Sequence, residues 1–533
     1  MKLETFFEKF DQFADAPDAV AKMRELVLQL AVQGKLVEQR PKEVSAKDCI
    51  RKANKPLYDL ASDESVETPT GWVALPLGCL IASNTGGGTP SKQNPSYWNG
   101  PIPWASVKDV QSQKYLTSTI DSITEEGLKD SSSNLIPPNR LIVVTRMGLG
   151  KLAINTIPVA INQDLRAIEP TTALDLDFAY LLFKSLKMVG SGVTVKGITV
   201  DKLHAMPVLL PPLAEQKRIV AKMDELMALC DRLEAQQQER ETWHAALARA
   251  SLARFADAPT PANLQFLFHP SYAIPPADLR KSILTLAVQG KLVPQDPNDE
   301  PAEELFARIE STKEKLIKQR TIKRVAVAAN PSGDDAEPLP PGWLWTRLGN
   351  SFDVRDGTHD TPKYTTEGFP LITSKNIYSG SLLFDGVNLI SEKDHRQISE
   401  RSRVDRGDIL FAMIGSIGNP VIVDTDREFS IKNVALFKYY AAVDSEPRFL
   451  LLYLKLVAEE MKAKAAGGVQ SFVSLSFLRN YLFPLPPLAE QRRIVAKVEQ
   501  LMALVDALEQ QLAASRATAA NLLTALVAEL TEA

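Results

Sequence analysis

Two loop regions of this chain hold the side chains best suited to chemistry, and that chemistry is recognition of polar edges. In the first, Gly86-Gly87-Gly88-Thr89-Pro90-Ser91-Lys92-Gln93-Asn94 precedes Tyr97, Trp98 and Trp104. In the second, Arg355-Asp356-Gly357-Thr358-His359 leads to Lys363, Tyr364, Lys375 and Asn376. Lysine and arginine engage phosphates or guanine edges, whereas asparagine and glutamine can make paired hydrogen bonds to adenine. Glycine lets a backbone come close to its target. Both regions have what a groove-reading surface needs.

Motifs for bond making are missing their partners. Asn94-Pro95-Ser96-Tyr97 departs at its third position from the Asn-Pro-Pro-Tyr motif of adenine methylation. No glycine-rich cofactor loop precedes it, so it reads as a turn presenting Tyr97 and Trp98. Gly148-Leu149-Gly150-Lys151 resembles part of a phosphate loop, yet Thr145 replaces the first glycine and Leu152 the closing hydroxyl residue. It reads as a hairpin turn, with Gly415-Ser416-Ile417-Gly418 as its counterpart. His359 has no nucleophile nearby in sequence and reads as a loop contact. No metalloprotease helix, nuclease carboxylate cluster or Ser/His/Asp set occurs, so catalysis within this chain is not expected.

The elements that position these loops are announced by repetition. Pro211-Pro212-Leu213-Ala214-Glu215-Gln216-Lys217-Arg218-Ile219-Val220-Ala221-Lys222 returns as Pro486-Pro487-Leu488-Ala489-Glu490-Gln491-Arg492-Arg493-Ile494-Val495-Ala496-Lys497. Leu30-Ala31-Val32-Gln33-Gly34-Lys35-Leu36-Val37 likewise returns at Leu286–Val293. Proline suits the first turn of a helix, and Glu215 or Glu490 there complements the helix dipole. After it, Ile219, Met223, Leu226, Cys230 and Leu233 step by four, three, four and three, as do Ile494, Val498, Leu501, Val505 and Leu508. That is a coiled-coil seam, and the simplest way to bury it is for each helix to cover the other. The second seam is expected to continue through Leu512, Ala519, Leu522 and Leu526, and the first to resume at His244 and Leu247.

Five segments follow: 1–70, an N-terminal helical segment and linker; 71–210, a β-rich region; 211–340, a long helix, a second helical repeat and a linker; 341–485, a second β-rich region; and 486–533, a C-terminal long helix. Val325 to Pro340, rich in Ala, Pro, Asp and Gly, is the expected flexible linker. Each β-rich region closes with a helix-like stretch, a Gly-containing loop and a strand-like run into Pro-Pro. The two regions share layout but little identity, as expected of one scaffold carrying two surface chemistries.

Composition narrows the class. Hydrophobic and charged fractions of 45% and 24% are ordinary for a soluble globular protein. The first nine residues have no signal-peptide core. Cys49, Cys79 and Cys230 form no disulfide framework or metal pair, so a reducing cytoplasm is the expected location. A net charge of −4 means that positive charge for nucleic acid must be local or come from a partner.

Taken with the doubled Pro-Pro-Leu-Ala-Glu-Gln helix and the Gly-Gly-Thr-Pro and Asp-Gly-Thr-His loop openings, the chain resembles the DNA-specificity subunits of type I restriction–modification systems. The resemblance implies an α+β fold: two mixed β-rich target-recognition domains separated by two long antiparallel coiled-coil helices in a pseudo-two-fold circular arrangement. It implies that each domain reads one half of a bipartite, asymmetric site in double-stranded DNA. The partners implied are two methylation subunits and, in the full complex, translocating and cleaving restriction subunits. S-adenosylmethionine, ATP and magnesium would sit on those partners, with no cofactor or metal in this chain. Recognition residues vary within such a family, so the contacts are chosen by chemistry and loop position. They are Lys92, Gln93, Asn94, Tyr97, Lys108 and Arg146 in the first domain, and Arg355, His359, Lys363, Tyr364, Lys375 and Asn376 in the second. The competing reading is a coiled-coil scaffold whose β-domains bind protein or carbohydrate.

A helix from Pro212 to about Phe255 would be about 60 Å long at 1.5 Å per residue. That spans one to two duplex turns of about 34 Å each, so the helix can act as a ruler. Inserting four residues near Gln236, about 6 Å of helix, should lengthen the unread spacer by roughly one or two base pairs. Methylation mapping that returns the same spacer would rule the ruler out.

Overall fold

A proline pair fixes where each long helix begins. Pro211-Pro212 and Pro486-Pro487 end a strand and cannot donate to a ladder, and the chain then runs as helix over Leu213–Asp257 and Leu488–Glu532. These and the elements below come from a computed structural model describing residues 16, 18–40, 42–53, 68–111, 113–188, 197–269, 272–331, 338–465 and 472–532. The first nine residues, most of the first linker (54–67), part of the second (332–337) and the Gly-containing loops at 189–196 and 466–471 lie outside the described residues. The chain divides into two units, Met1–Arg240 with Ala514–Ala533, and Glu241–Ala513.

In the first unit, helix Ala19–Val32 buries Met23, Leu26, Val27 and Leu30, which recur at helical spacing on one face. Gly34, at φ 75°, ends it in the left-handed conformation. Strand β1 (Val73–Pro76) pairs antiparallel with β11 (Pro207–Leu210), Val73 opposite Leu210, and so clasps both ends of the β-rich domain. Between them lie β2 (Ile81–Gly86), β3 (Trp98–Ala105), β4 (Tyr115–Leu116), β5 (Asp121–Ile123), β6 (Asn134–Ile136), β7 (Leu141–Val144), β8 (Leu152–Asn155), β9 (Val159–Ile161) and β10 (Leu165–Pro170). They form sheets of order β2-β10-β7-β8-β4 and β5-β3-β9-β6. All four residues of β7 are buried because its sheet is covered on both sides. Leu141 and Val143 join the core with the helices, while Ile142 and Val144 pack in a separate core inside the domain.

The second unit repeats the plan. Strand β12 (Leu344–Arg347) pairs antiparallel with β21 (Leu482–Leu485). Within that clasp, β13 (Asp353–Asp356), β20 (Val434–Lys438), β17 (Ile409–Ala412) and β18 (Gly418–Ile422) make one sheet. A second sheet holds β14 (Tyr364–Thr365), β16 (Asn388–Ile390), β15 (Phe369–Ile372) and β19 (Ser430–Ile431). The parallel pairing of β3 with β9 recurs as β15 with β19. Strand β17 divides its side chains as β7 does: Ile409 and Phe411 face the core with the helices, Leu410 and Ala412 the inner core.

Each unit is tied by the same set of repeated residues. Trp72 Nε1 donates to Glu215 Oε1 at 3.0 Å, and Trp343 Nε1 to Glu490 Oε2 at 2.9 Å. Both carboxylates are buried, so their part is larger than the expected service to the helix dipole. The space that a Cβ would take at Gly34 and Gly290 is filled by Pro69 with Trp72 and by Pro340 with Trp343. Arg24 bonds to Asp231 and Glu234 at 2.7 and 2.6 Å; Arg280 bonds to Asp506 and Glu509 at 2.6 Å each. Exposed ion pairs contribute at most about 1 kcal/mol, so these arginines set register while the apolar stripe supplies the stability.

Ile219, Met223, Leu226 and Cys230 are buried, as are Ile494, Val498, Leu501 and Val505; Leu233 and Leu508 are partly buried. Their cover is richer than one helix on another. In the first unit the seam packs with Met23, Leu26 and Leu30 and with Leu523, Leu526 and Leu530 at the end of the C-terminal helix. In the second it packs with Leu279, Ile283 and Leu286 and with Ala248 and Phe255 of the central helix. The expected continuations therefore hold only in part. Ala519 and Leu526 are buried as expected, but with Leu523 and Leu530 in place of Leu512 and Leu522; in the central helix His244 is half-buried, and Ala248, Ser251 and Phe255 are buried in place of Leu247. The stripe shifts because each long helix changes packing partners along its length.

One expectation is corrected outright. Val325 to Pro340 is no free linker over its first half: Ala328 N donates to Asn480 Oδ1 at 2.9 Å, Arg347 Nε to Ala329 O at 2.8 Å, and Arg347 N to Asn330 Oδ1 at 3.1 Å. Alanine- and proline-rich composition signals no secondary structure, yet backbone groups can still be claimed by side chains from elsewhere. The three cysteines are free thiols, and among the described residues no helix is long and apolar enough to cross a membrane.

Burial raises the carboxyl pKa of Glu215 and Glu490 above the ordinary glutamate value, against the indole bond that lowers it. The folded state thus holds these protons to higher pH than the unfolded chain, and their contribution to stability falls as pH rises through that interval. Trp72→Phe, which leaves the Glu215 carboxylate without its indole donor, should cost roughly 1–3 kcal/mol in denaturant unfolding at neutral pH. In a Glu215→Gln background, with a neutral acceptor, the same change should cost clearly less. Equal costs in both backgrounds would show that the bond matters little.

Candidate nucleic-acid interface

A glycine crossing sets the geometry of each recognition loop. As the chain leaves β2 it passes over the end of β9: Gly88 N donates to Ile161 O at 3.0 Å, and a Cβ on Gly87 would stand 1.9 Å from that oxygen. In the second domain Thr358 N donates to Ile431 O at 3.0 Å, with a Gly357 Cβ 2.1 Å from it. No side chain fits either place. These glycines serve a close approach within the protein itself, and the loops that follow start from one shared geometry.

In the first domain the loop is pinned soon after the crossing. Thr89 Oγ1 bonds to Gln163, and Trp104 Nε1 donates to Gly88 O at 3.1 Å. Trp98 donates to Ser91 O and stands edge-on to Trp104, with ring centroids 5.2 Å apart. The expected turn is a short 3-10 stretch, Pro95–Tyr97, capped by Asn94, whose Oδ1 accepts from Ser96 N and Ser96 Oγ. Tyr97 OH donates to Asp130 Oδ2 at 3.2 Å, and Arg146 lies 3.6 Å from Asp164. Lys92, Gln93 and Lys108 are exposed, with no side-chain partner among the described residues.

The second domain divides the same way. Arg355 is held by Asp353 and donates to Arg401 O at 3.1 Å. His359 has both ring nitrogens occupied, Nε2 by Asp356 Oδ2 at 2.9 Å and Nδ1 by Asn433 Oδ1 at 3.1 Å. Asn376 accepts from Thr373 N and Oγ1, each at 3.0 Å. Lys363, Tyr364 and Lys375 are exposed, with no side-chain partner among the described residues. Six of the twelve candidates, Lys92, Gln93, Lys108, Lys363, Tyr364 and Lys375, thus stand free. The other six, Asn94, Tyr97, Arg146, Arg355, His359 and Asn376, already serve the fold. For Asn94 and Asn376 a paired contact to adenine would require the cap to open, since it uses the same oxygen.

The two glycine segments expected to be hairpin turns fall where a turn belongs. Gly148 to Lys151 joins β7 to β8, and Gly415 to Gly418 joins β17 to β18, in both cases antiparallel neighbours. Among the described residues no group of three or more His, Cys, Asp or Glu is placed to hold a metal. Two sets escaped the sequence reading. The Trp72–Glu215 and Trp343–Glu490 bonds were detectable in principle, because each residue type recurs in both repeats. Arg401, bonded to the buried Asp356, had no such signal, because the two are far apart in sequence and have no counterpart in the first domain.

The β-rich domains and their framing helices have known relatives. The type I restriction modification DNA specificity domain matches residues 69–240 and again 343–515. The type I restriction enzyme EcoAI specificity subunit of Escherichia coli is 28% identical, over 95% of this chain and 93% of that one. The EcoEI specificity subunit of the same species is 27% identical over the same shares. Among solved structures, the HsdS subunit from Thermoanaerobacter tengcongensis aligns with 88% of this chain and 99% of its own, at 19% identity and a TM-score of 0.44. With its domain matched twice over most of its length, the chain belongs to the type I restriction modification DNA specificity family.

Proposed function

We propose that this chain is the DNA-reading subunit of a type I restriction–modification complex. Each β-rich domain reads one half of a bipartite, asymmetric site, and the long helices hold the frame on which two methylation subunits dock. The observation that carries this reading is the double match of the specificity domain, centred on the two regions whose loops differ while their frames agree. The chain's own contribution is recognition, with no bond-making step. S-adenosylmethionine would be used by the methylation subunits, and ATP and magnesium by restriction subunits. Local lysines free of protein partners (Lys92, Lys108, Lys363 and Lys375) supply positive charge at the loops despite a net charge of −4.

Co-expression with a type I methylation subunit, followed by methylome sequencing, tests the proposal. A single adenine-methylated motif in two parts around an unread spacer is the expected outcome. A continuous motif, or no methylation despite a stable complex, would contradict it. Within that assay, Lys375→Ala should relax one half-site and leave the other intact, because a lost base contact removes about 1–3 kcal/mol of discrimination. Equal loss on every site would instead assign Lys375 to phosphate.

A further inference from the structure

The corner before the glycine crossing is where the two domains share a geometry and differ most in chemistry. In the first domain Gly86 and Gly88 flank Gly87, and the Arg166 guanidinium lies 3.6 to 3.7 Å from where a Gly86 Cβ would stand. In the second domain Asp356 occupies the place of Gly86, one residue before Gly357. Its side chain is 6% exposed, and the two oxygens have different partners: Oδ1 takes the Arg401 guanidinium and Oδ2 takes His359 Nε2. His359 is braced a second time, through Nδ1, by Asn433.

A nearly buried carboxylate must be paired to persist, and here its pairing fixes a cation at the surface. The Arg401 side chain is 59% exposed. It projects from helix Glu392–Ser402 beside a cleft of about 290 Å³ bordered by Thr358, Asp360, Thr361 and Gln397. Asp356 takes part of a donor set of five N–H groups, and the remainder have no acceptor among the described residues. Lys432, bonded to Thr361 across the same loop, adds positive charge at the rim. An arginine held from behind by a carboxylate loses little freedom on binding and presents a planar fork. Guanine, with O6 and N7 as adjacent acceptors in the major groove, is the base edge that matches it.

Building on the DNA-reading function above, we propose that Arg401 reads a guanine in the half-site of the second domain, with Asp356 and His359 as its positioning residues. His359, having both nitrogens engaged, acts as a brace for the carboxylate and leaves the contact to Arg401. Specificity at this position is then set by residues from the crossing loop and from a helix that sequence order keeps apart.

The test is methylome sequencing of Arg401→Ala, Arg401→Lys and Asp356→Asn, each as the full chain in complex with its methylation subunit. The wild-type motif is the control: a motif not in two parts would refute the DNA-reading function itself, whatever the variants do. Given a bipartite motif, Arg401→Ala should relax one guanine of one half-site, with discrimination at that base falling about tenfold or more. Asp356→Asn should relax the same base to a smaller degree, because the amide keeps an acceptor. Arg401→Lys should fall between wild type and Arg401→Ala, since a point charge cannot make the paired contact. A motif unchanged at every position, a uniform loss of methylation across all sites, or relaxation at different bases for Arg401→Ala and Asp356→Asn would each overturn the proposal. Arg401→Lys, an exposed and conservative change, covers the case in which Asp356→Asn fails to fold.

Discussion

The structure depends on a buried carboxylate at the start of each long helix. Glu215 and Glu490 sit where water is excluded, and burial alone would favour their neutral forms. Each is kept in place by an indole N–H from the residue just before the first strand of the β-rich domain, so the domain's opening and its closing helix meet at one bond. The neighbouring glutamine extends the tie. Gln216 Nε2 donates to Ala173 O at 2.9 Å and to Pro211 O at 3.0 Å, and Gln491 Nε2 donates to Pro486 O at 2.8 Å. A misplaced domain would leave these polar groups unpaired in the core, at a cost of several kcal/mol in all. The Pro-Pro-Leu-Ala-Glu-Gln phrase is thus a junction specified residue by residue, which accounts for its near-verbatim repetition.

Around that junction the remaining repeated contacts act as alignment. Arg218 with Glu43 and Arg493 with Asp299 join the same helix to the segment after the repeat helix. Ala46 N and Ala302 N each donate to the carbonyl of the glycine before a junction tryptophan, Gly71 and Gly342, at 3.0 and 2.9 Å. No one of these is strong. Together they leave one way to seat a domain on the frame, which lets the domain's own loops diverge without loss of orientation. Divergence does appear away from the frame: β4 and β6 extend the sheets of the first domain, while β14 extends a sheet of the second.

Much of the frame was legible in the sequence because it is local and periodic. The proline pairs, the glycine stops and the four-three seam each act within a few residues, and the helices begin, end and bury their faces accordingly. Less was legible where a residue's partner is distant. The seam beyond Leu233 and Leu508 keeps only some of its expected positions because the covering partner changes, and no single-helix pattern contains that information. The pinned segment from Ala328 to Asn330 looked free because its acceptors and donors are claimed by Asn480, Arg347 and Asn350. Half of the candidate contacts proved to be caps, braces or ion pairs of the loops themselves. Residue type told which side chains can read DNA, whereas only three-dimensional pairing tells which remain free to do so.

If the repeated frame orients two interchangeable readers, the readers should be exchangeable in place. The direct measurement is methylome sequencing of a chain in which residues 77–206 and 348–481, the segments inside the strand clasps, are swapped. The same two half-sites should appear in reversed order around the same spacer. An unchanged motif would place recognition in the frame, and a swapped chain that folds, binds its methylation subunit and methylates nothing would show that the frames are not equivalent.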